Sequence, residues 1–211
     1  MSDNITSEFY GDTTPLGVGQ EVPDFKMETY EPVSGSFGSV NLADLKKNGK
    51  WTILVFYPAD FTFVCPTELA DLAAQDAKLT ELGAKVISVS TDTKFSHLAW
   101  CQAEKLMANV KYTMGADATG EVSSMFGVYD DTTGLSLRGT FIISPEGKLV
   151  SKLVNFYNVG RNMEELVRIV EANVHCAANP AEACPAKWTP GEKTLTPSED
   201  MVGKVYEALN D

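Results

Sequence analysis

The segment WTILVFYP, residues 51 to 58, constrains this chain more than any other. It is apolar without a break until proline stops it. A strand with one wet face would alternate with polar residues, so the run reads as a strand covered on both faces. A helical pattern follows within a few residues. In PTELADLAAQDAKLTELG, Pro66 suits the first helical position, and Leu69, Leu72, Ala73 and Leu79 fall on one face. Gly83 suits the helix stop. AKVISVST is a second buried strand. Strand, helix and strand in this order imply an α/β layered domain, and right-handed crossovers set the two strands side by side in the sheet centre.

The rest of the chain fits round this unit. After an irregular opening to about Gly19, EVPDFKMETY begins the globular part, and GSFGSVNLADL reads as a turn leading into a short helix. KFSHLAWCQAEKLM reads as a helix and TGEVSSMFGV as a short one. LSLRGTFIIS, a turn at PEG and KLVSKLVNF read as a β-hairpin. NMEELVRIVEANV sets Met163, Leu166, Val167, Val170 and Val174 on one helical stripe. From Cys176 onward prolines multiply and apolar residues thin out. This predicts a division into residues 1–175, the globular domain, and 176–211, an extended tail with EDMVGKVYEAL as a last short helix.

Charge narrows the function classes. The formal net charge is −12, with no basic stripe, which argues against nucleic acid and against anionic membrane surfaces. No run approaches the ~20 apolar residues of a membrane span, and MSDNITSEFYGD lacks the basic and apolar parts of a signal peptide. The expected setting is the cytoplasm, where thiols are kept reduced.

The four cysteines therefore carry the question of chemistry: Cys65, Cys101, Cys176 and Cys184. None pairs at C-x-x-C spacing; three residues beyond Cys65 stands Glu68. Cys65 lies at a strand-to-helix join, at the carboxyl end of a central strand, where open α/β sheets commonly place their sites. With Pro66 as the first helical residue, Cys65 is the expected N-cap, its sulfur facing free N–H groups and the positive end of the helix dipole. Both favour a thiolate. An inert buried filler is the competing reading, and the helix start alone leaves the two level. Cys101, beside Trp100 on a helix, reads as core filler. Cys176, beside His175, suggests either a thiol–imidazole pair or a metal ligand, but no usual ligand spacing supports this. His97, near a helix start, reads as structural or solvated.

The wider pattern separates the readings. Pro58, Thr62 and Cys65 spell P-x-x-x-T-x-x-C, followed by Pro66, Thr67 and Glu68. This resembles the active-site signature of the peroxiredoxins, thiol peroxidases on a thioredoxin-like fold. LRGTFIIS supplies Arg138 at the place of a family arginine, VGR supplies Arg161 at that of a second, and EACPAKW resembles the resolving-cysteine segment of the typical two-cysteine branch. The likeness runs from about Val22 to the C-terminus, and lies nearest the bacterial alkyl hydroperoxide reductases of that family.

The resemblance implies a central mixed sheet flanked by helices. It also implies that Cys65 attacks the peroxide and becomes a sulfenic acid, with Thr62 orienting peroxide and sulfur, Pro58 shielding the site and Arg138 stabilising negative charge. Glu68 and Arg161 would hold Arg138 and the helix start. Cys184 would then condense with the sulfenic acid into an intersubunit disulfide, reopened by a flavoprotein disulfide reductase or thioredoxin. No metal or other cofactor is implied. A homodimer assembling into a decamer is, with Phe61 and Phe63 as candidates for the contact between dimers, Phe56 as core, and Trp188 packing on a partner subunit. TTGLSL before Arg138 and VGKVYEALND at the end lack the Gly-Gly-Leu-Gly and Tyr-Phe segments of easily over-oxidised members, which implies a robust bacterial type. A general thiol–disulfide oxidoreductase and a holdase chaperone are the rival functions.

Overall fold

A computed structural model describes residues 14–210. The polar opening MSDNITSEFYGD lies outside the described residues.

The apolar run forms β3 (Trp51–Phe56), with every residue buried. It pairs in parallel with β4 (Ala84–Ser90) and antiparallel with β8 (Arg138–Ile143). Alternation along β3 explains its unbroken apolarity. Ile53 and Val55 pack with Leu69, Leu72 and Leu79 of α2 (Cys65–Glu81) and with Met163, Leu166, Val167 and Val170 of α5 (Met163–Ala178). Leu54 and Phe56 pack on the other face, with Leu42 of α1 (Leu42–Lys47) and with Val122 of α4 (Glu121–Met125). A strand between two cores has no wet face to mark with polar residues.

The remaining strands are β1 (Lys26–Glu31), β2 (Ser36–Asn41), β5 (Thr113–Ala116), β6 (Tyr129–Asp130), β7 (Leu135–Ser136) and β9 (Leu149–Asn155). The main sheet has seven strands in the order β2-β1-β5-β4-β3-β8-β9, and β6 and β7 pair apart from it. β3 and β4 are thus neighbours in the middle, as the crossover rule requires, and the sheet is mixed, as expected.

Several local expectations need correction. SFGSVN is a strand rather than a turn, and it pairs with β1 through all six residues. Residues 113 to 116 add a strand that the pattern does not announce. The helix predicted from Lys94 ends at Ala103, where α3 stops (Lys94–Ala103). Glu104 is extended there, its carboxylate accepting from the Leu106 N–H, and a 3₁₀ turn over Lys105–Asn109 follows. The segment LSLRGTFIIS splits into β7 and β8, and β8 with β9 forms the expected hairpin.

The tail also departs from expectation. α5 continues through Cys176 to Ala178, and the chain then folds back along it instead of running out. Trp188 is only 3% exposed, its ring 4.8 Å from that of His175, so it packs on its own subunit. The Arg168 guanidinium donates to the Trp188 carbonyl, and an isolated bridge joins Ala183 to Leu195. A last short helix, α6 (Val205–Asn210), follows as predicted.

Candidate active site

Cys65 is fully buried and lies where β3 hands over to α2. It is the first helical residue, not the cap. Val64 occupies the N-cap and Pro66 the second position. The shift changes the donor set: the N–H groups of Thr67 and Glu68 go to the Val64 carbonyl, and proline has none. The sulfur's principal positive neighbour is therefore a side chain. Arg138, the first residue of β8, donates from Nη1 to Cys65 Sγ at 3.4 Å.

Arg138 is fixed at three points. Its Nη1 also donates to Glu68 Oε2 at 2.6 Å, and its Nε donates to the Tyr157 carbonyl at 2.7 Å. Glu68 stands one helical turn after Cys65, so its side chain shares that face of α2. It is 2% exposed and accepts from both arginines. Arg161 donates to its Oε1 from Nε at 2.8 Å and from the main-chain N–H at 2.9 Å, and to its Oε2 from Nη2 at 3.1 Å. The remaining donor of Arg161, Nη1, reaches the Gly139 carbonyl and the Thr140 hydroxyl of β8. Each buried charge is thus paired and hydrogen-bonded, the condition under which burial is tolerated.

The loop between β3 and α2 has its own buried frame. The Tyr57 hydroxyl donates to Asp60 Oδ1 at 2.7 Å, and His97 Nδ1 lies 2.8 Å from Asp60 Oδ2. The Asp60 N–H donates to Asp92 Oδ2 at 2.8 Å. Burial first, and then the charge of Asp60, pushes the Tyr57 phenol well above its ordinary range, which keeps it a donor. His97 is fully buried, so its role is structural rather than solvated. Nothing in the sequence ties Tyr57, Asp60, Asp92 and His97 together. The one signal available is an aspartate in an otherwise apolar stretch, at YPAD.

Of the expected site residues, Cys65, Glu68, Arg138 and Arg161 form one connected cluster. Pro58 is buried at the end of β3. The Thr62 hydroxyl donates to the Ala59 carbonyl at 2.8 Å, and among the described residues no hydrogen bond joins it to Cys65. Cys184 is absent from the cluster, seated on α5 with its sulfur 3.5 Å from that of Cys176. Phe61, with φ of 55° in the left-handed region, turns its ring toward Trp100 at 6.2 Å. Phe61 and Phe63 are exposed, and Phe56 is core as expected. Cys101 packs against the core near the Met114 sulfur, and burial, then the charge of Asp60, pushes its thiol up to about 11. It behaves as filler. Among the described residues no group of three or more His, Cys, Asp or Glu is arranged to hold a metal ion.

A carboxylate-anchored arginine against a buried helix-start thiol is what the family signature leads one to expect, and comparison with known proteins places the chain accordingly. The AhpC/TSA family matches residues 18–152. The chain is a peroxiredoxin of the AhpC/TSA family. The C-terminal domain of 1-Cys peroxiredoxin matches residues 175–208, although that segment holds two cysteines here. Alkyl hydroperoxide reductase C of Bacillus subtilis (strain 168) is 46% identical over 89% of this peroxiredoxin and 98% of the relative. That of Staphylococcus aureus (strain Mu50) is 43% identical over the same shares. Among solved structures, Enterococcus faecalis AhpC superimposes with a TM-score of 0.75 at 43% identity, covering 80% of this chain and 98% of its own. The reduced 2-Cys peroxiredoxin of Plasmodium vivax gives a TM-score of 0.84 at 36% identity, covering 92% of this peroxiredoxin and all of its own chain.

Proposed function

We propose that this peroxiredoxin reduces hydrogen peroxide and organic hydroperoxides through Cys65, with Cys184 of a second subunit as resolving thiol. The observation that carries this is the 3.4 Å contact between Arg138 and the Cys65 sulfur, held by the buried Glu68 carboxylate.

The charges of the cluster support it. Two guanidinium groups and one carboxylate leave one positive charge facing the sulfur. The four groups balance at zero when the sulfur is a thiolate, and desolvated charge favours that balance. α2 adds the positive end of its dipole. The thiolate attacks one peroxide oxygen. The O–O bond breaks, its electron pair leaves with the other oxygen, and that oxygen takes a proton to become water or an alcohol. The sulfur keeps the transferred oxygen as a sulfenic acid. Arg138 is positioned to meet the charge developing on the departing oxygen. The Thr62 hydroxyl, half-buried beside the helix start, would orient the peroxide, and Pro58 would shield one side of the site.

The resolving step joins Cys184 of the second subunit to the Cys65 sulfur and releases the sulfenic oxygen as water. A dithiol reductant, a flavoprotein disulfide reductase or thioredoxin, would restore both thiols. An Arg-paired glutamate stands three residues past Cys65 where a thioredoxin-type exchanger has its second cysteine, which disfavours general dithiol exchange at this site. The division between the domain and its tail belongs to this reading, with 176–211 as the part that moves. So does homodimer formation: β9 is an edge strand whose neighbourhood exposes Leu153, Val154 and Phe156, a surface that pairing with another copy would cover. Exposed Phe61 and Phe63 are the candidates for assembly of dimers into a decamer. The cytoplasm is the proposed location, and no helix among the described residues is long and apolar enough to cross a membrane.

The test is to treat a Cys184→Ser variant with one equivalent of peroxide and trap sulfenic acid with dimedone. A single adduct on Cys65 is expected, with no disulfide-linked dimer. An adduct on any other cysteine, or none, contradicts the assignment.

A further inference from the structure

Cys176 is a thiol that peroxide reduction through Cys65 and Cys184 does not use, and it sits beside Cys184. Cys176 lies in the last turn of α5, and Cys184 follows eight residues later. Their sulfurs are 3.5 Å apart, so a displacement of about 1.5 Å would bring them to disulfide bonding distance. The approach is organised by the surrounding chain. Glu182 accepts from His175 Nε2 at 2.8 Å and from the Thr194 hydroxyl at 2.6 Å, closing the segment between the cysteines onto the helix. Trp188 covers the His175 ring from beyond.

We propose that Cys176 is a third redox thiol, which takes over the disulfide from Cys65. The proposal rests on the Cys65–Cys184 bond described above. Once that intersubunit bond has formed, the Cys176 thiolate of the chain that supplied Cys184 attacks the Cys184 sulfur. The Cys176–Cys184 bond forms within that chain, the Cys65–Cys184 bond breaks, and its electron pair leaves on Cys65 as thiolate. One disulfide and one thiolate are exchanged for another disulfide and another thiolate, so no further oxidant is needed beyond the peroxide already consumed.

Three observations favour this direction. The attacking and attacked sulfurs stand eight positions apart in one chain, which sets a local concentration on the order of millimolar or above even when the tail has left α5. The leaving sulfur departs into the cluster where Arg138 stands 3.4 Å away, and a stabilised thiolate is the better leaving group. The new disulfide also lies at an open surface. Cys176 lines a cleft of about 360 Å³ with Trp51, Glu146, Lys148 and Asn173, whereas the Cys65 sulfur is fully buried. A reductant would then meet the oxidising equivalent on the outside of one chain, while Cys65 is already free for the next peroxide.

The experiment uses the full chain, fully reduced and freed of reductant. One equivalent of hydrogen peroxide is added, the reaction is quenched with acid at intervals, and free thiols are alkylated before non-reducing gels and disulfide mapping. In the wild type a disulfide-linked dimer is expected to form first. It should then give way to single chains that carry a Cys176–Cys184 bond and alkylated Cys65. Cys176→Ser should stop at the linked dimer, with the dimer fraction at late times on the order of tenfold higher than in the wild type. A wild type that rests as the Cys65–Cys184 dimer with Cys176 alkylated overturns the relay and leaves the peroxidase assignment standing. A Cys65→Ser chain that forms Cys176–Cys184 as fast as the wild type also overturns it, since the oxidation then bypasses Cys65. If Cys176→Ser never forms a Cys65–Cys184 bond, the intersubunit resolving step itself is wrong and the relay falls with it.

Discussion

Glu68 is the residue on which the site turns. It is the one acidic group between two buried arginines, and through Arg138 it sets the position of the charge facing the sulfur. Glu68→Gln keeps the shape and removes the charge, leaving the two guanidinium groups uncompensated. The expected result is a loss of about 3 kcal/mol in unfolding free energy, read from denaturant midpoints. Peroxide reactivity should fall about 100-fold as Arg138 loses its anchor. Wild-type reactivity in a destabilised protein would show that Arg138 holds its place without Glu68. Arg138→Lys tests the fork geometry. A lysine carries the charge but cannot hold Cys65, Glu68 and the Tyr157 carbonyl at once, so reactivity should drop on the order of tenfold or more although net charge is unchanged. Much of this was legible from single letters, because the resemblance to the peroxiredoxin signature singles out the thiol, both arginines and the glutamate. The Tyr57–Asp60–His97–Asp92 frame was not, because Tyr57 and Asp60 stand more than thirty residues from Asp92 and His97 in the chain and only the fold brings them together.

At the scale of elements, β8 delivers Arg138 to the sulfur, and Gly139 beside it leaves the room that Phe141 and Val128 fill. A Cβ at Gly139 would stand 2.6 Å from the Phe141 ring and 2.8 Å from Val128. Gly139→Ala should therefore cost about 1 to 3 kcal/mol by overpacking and lower the melting temperature by several degrees. Peroxide reactivity should fall with it as Arg138 shifts; unchanged melting and reactivity would show that β8 relaxes freely. Legibility at this scale followed hydrophobic pattern. β3, α2, β4 and α5 have long runs or clear stripes, and the pattern finds each of them. β2 exposes four of its six residues, and β5 has four residues with a glycine among them, so neither left a period to find. The pattern overextends α3 because Glu104 is an ordinary helix former, whereas its carboxylate caps the next turn.

Across the whole molecule, the proposed function makes the chemistry depend on whether the tail is docked or free. Docked, Cys184 is held beside Cys176, and burial first, then the hydrogen bond with Cys176, pushes its thiol up from 9.0 to about 11. A raised thiol value means the protonated form persists as pH rises. Alkylation of Cys184 in the reduced protein should therefore reach half its limiting rate only near pH 11 and still be climbing there. Trp188→Ala, which removes the ring seated on His175, should free the tail and speed that alkylation at neutral pH. A half-point near pH 9, or no change in the variant, would mean that the tail is already free in solution. The proline-rich composition of the tail showed that it would lack regular structure, but not that Trp188 would hold it down. A single tryptophan reads the same whether it packs at home or on a neighbour.

In the proposed function Cys65, clamped by Arg138, is the thiol that meets peroxide. The most direct test of that role is hydroperoxide consumption with dithiothreitol as reductant, comparing the wild type with Cys65→Ser and Cys184→Ser. Consumption is expected to vanish in Cys65→Ser and to persist in Cys184→Ser, where the small dithiol can reduce Cys65 without the resolving thiol. Peroxide consumption by Cys65→Ser at the wild-type rate would contradict it.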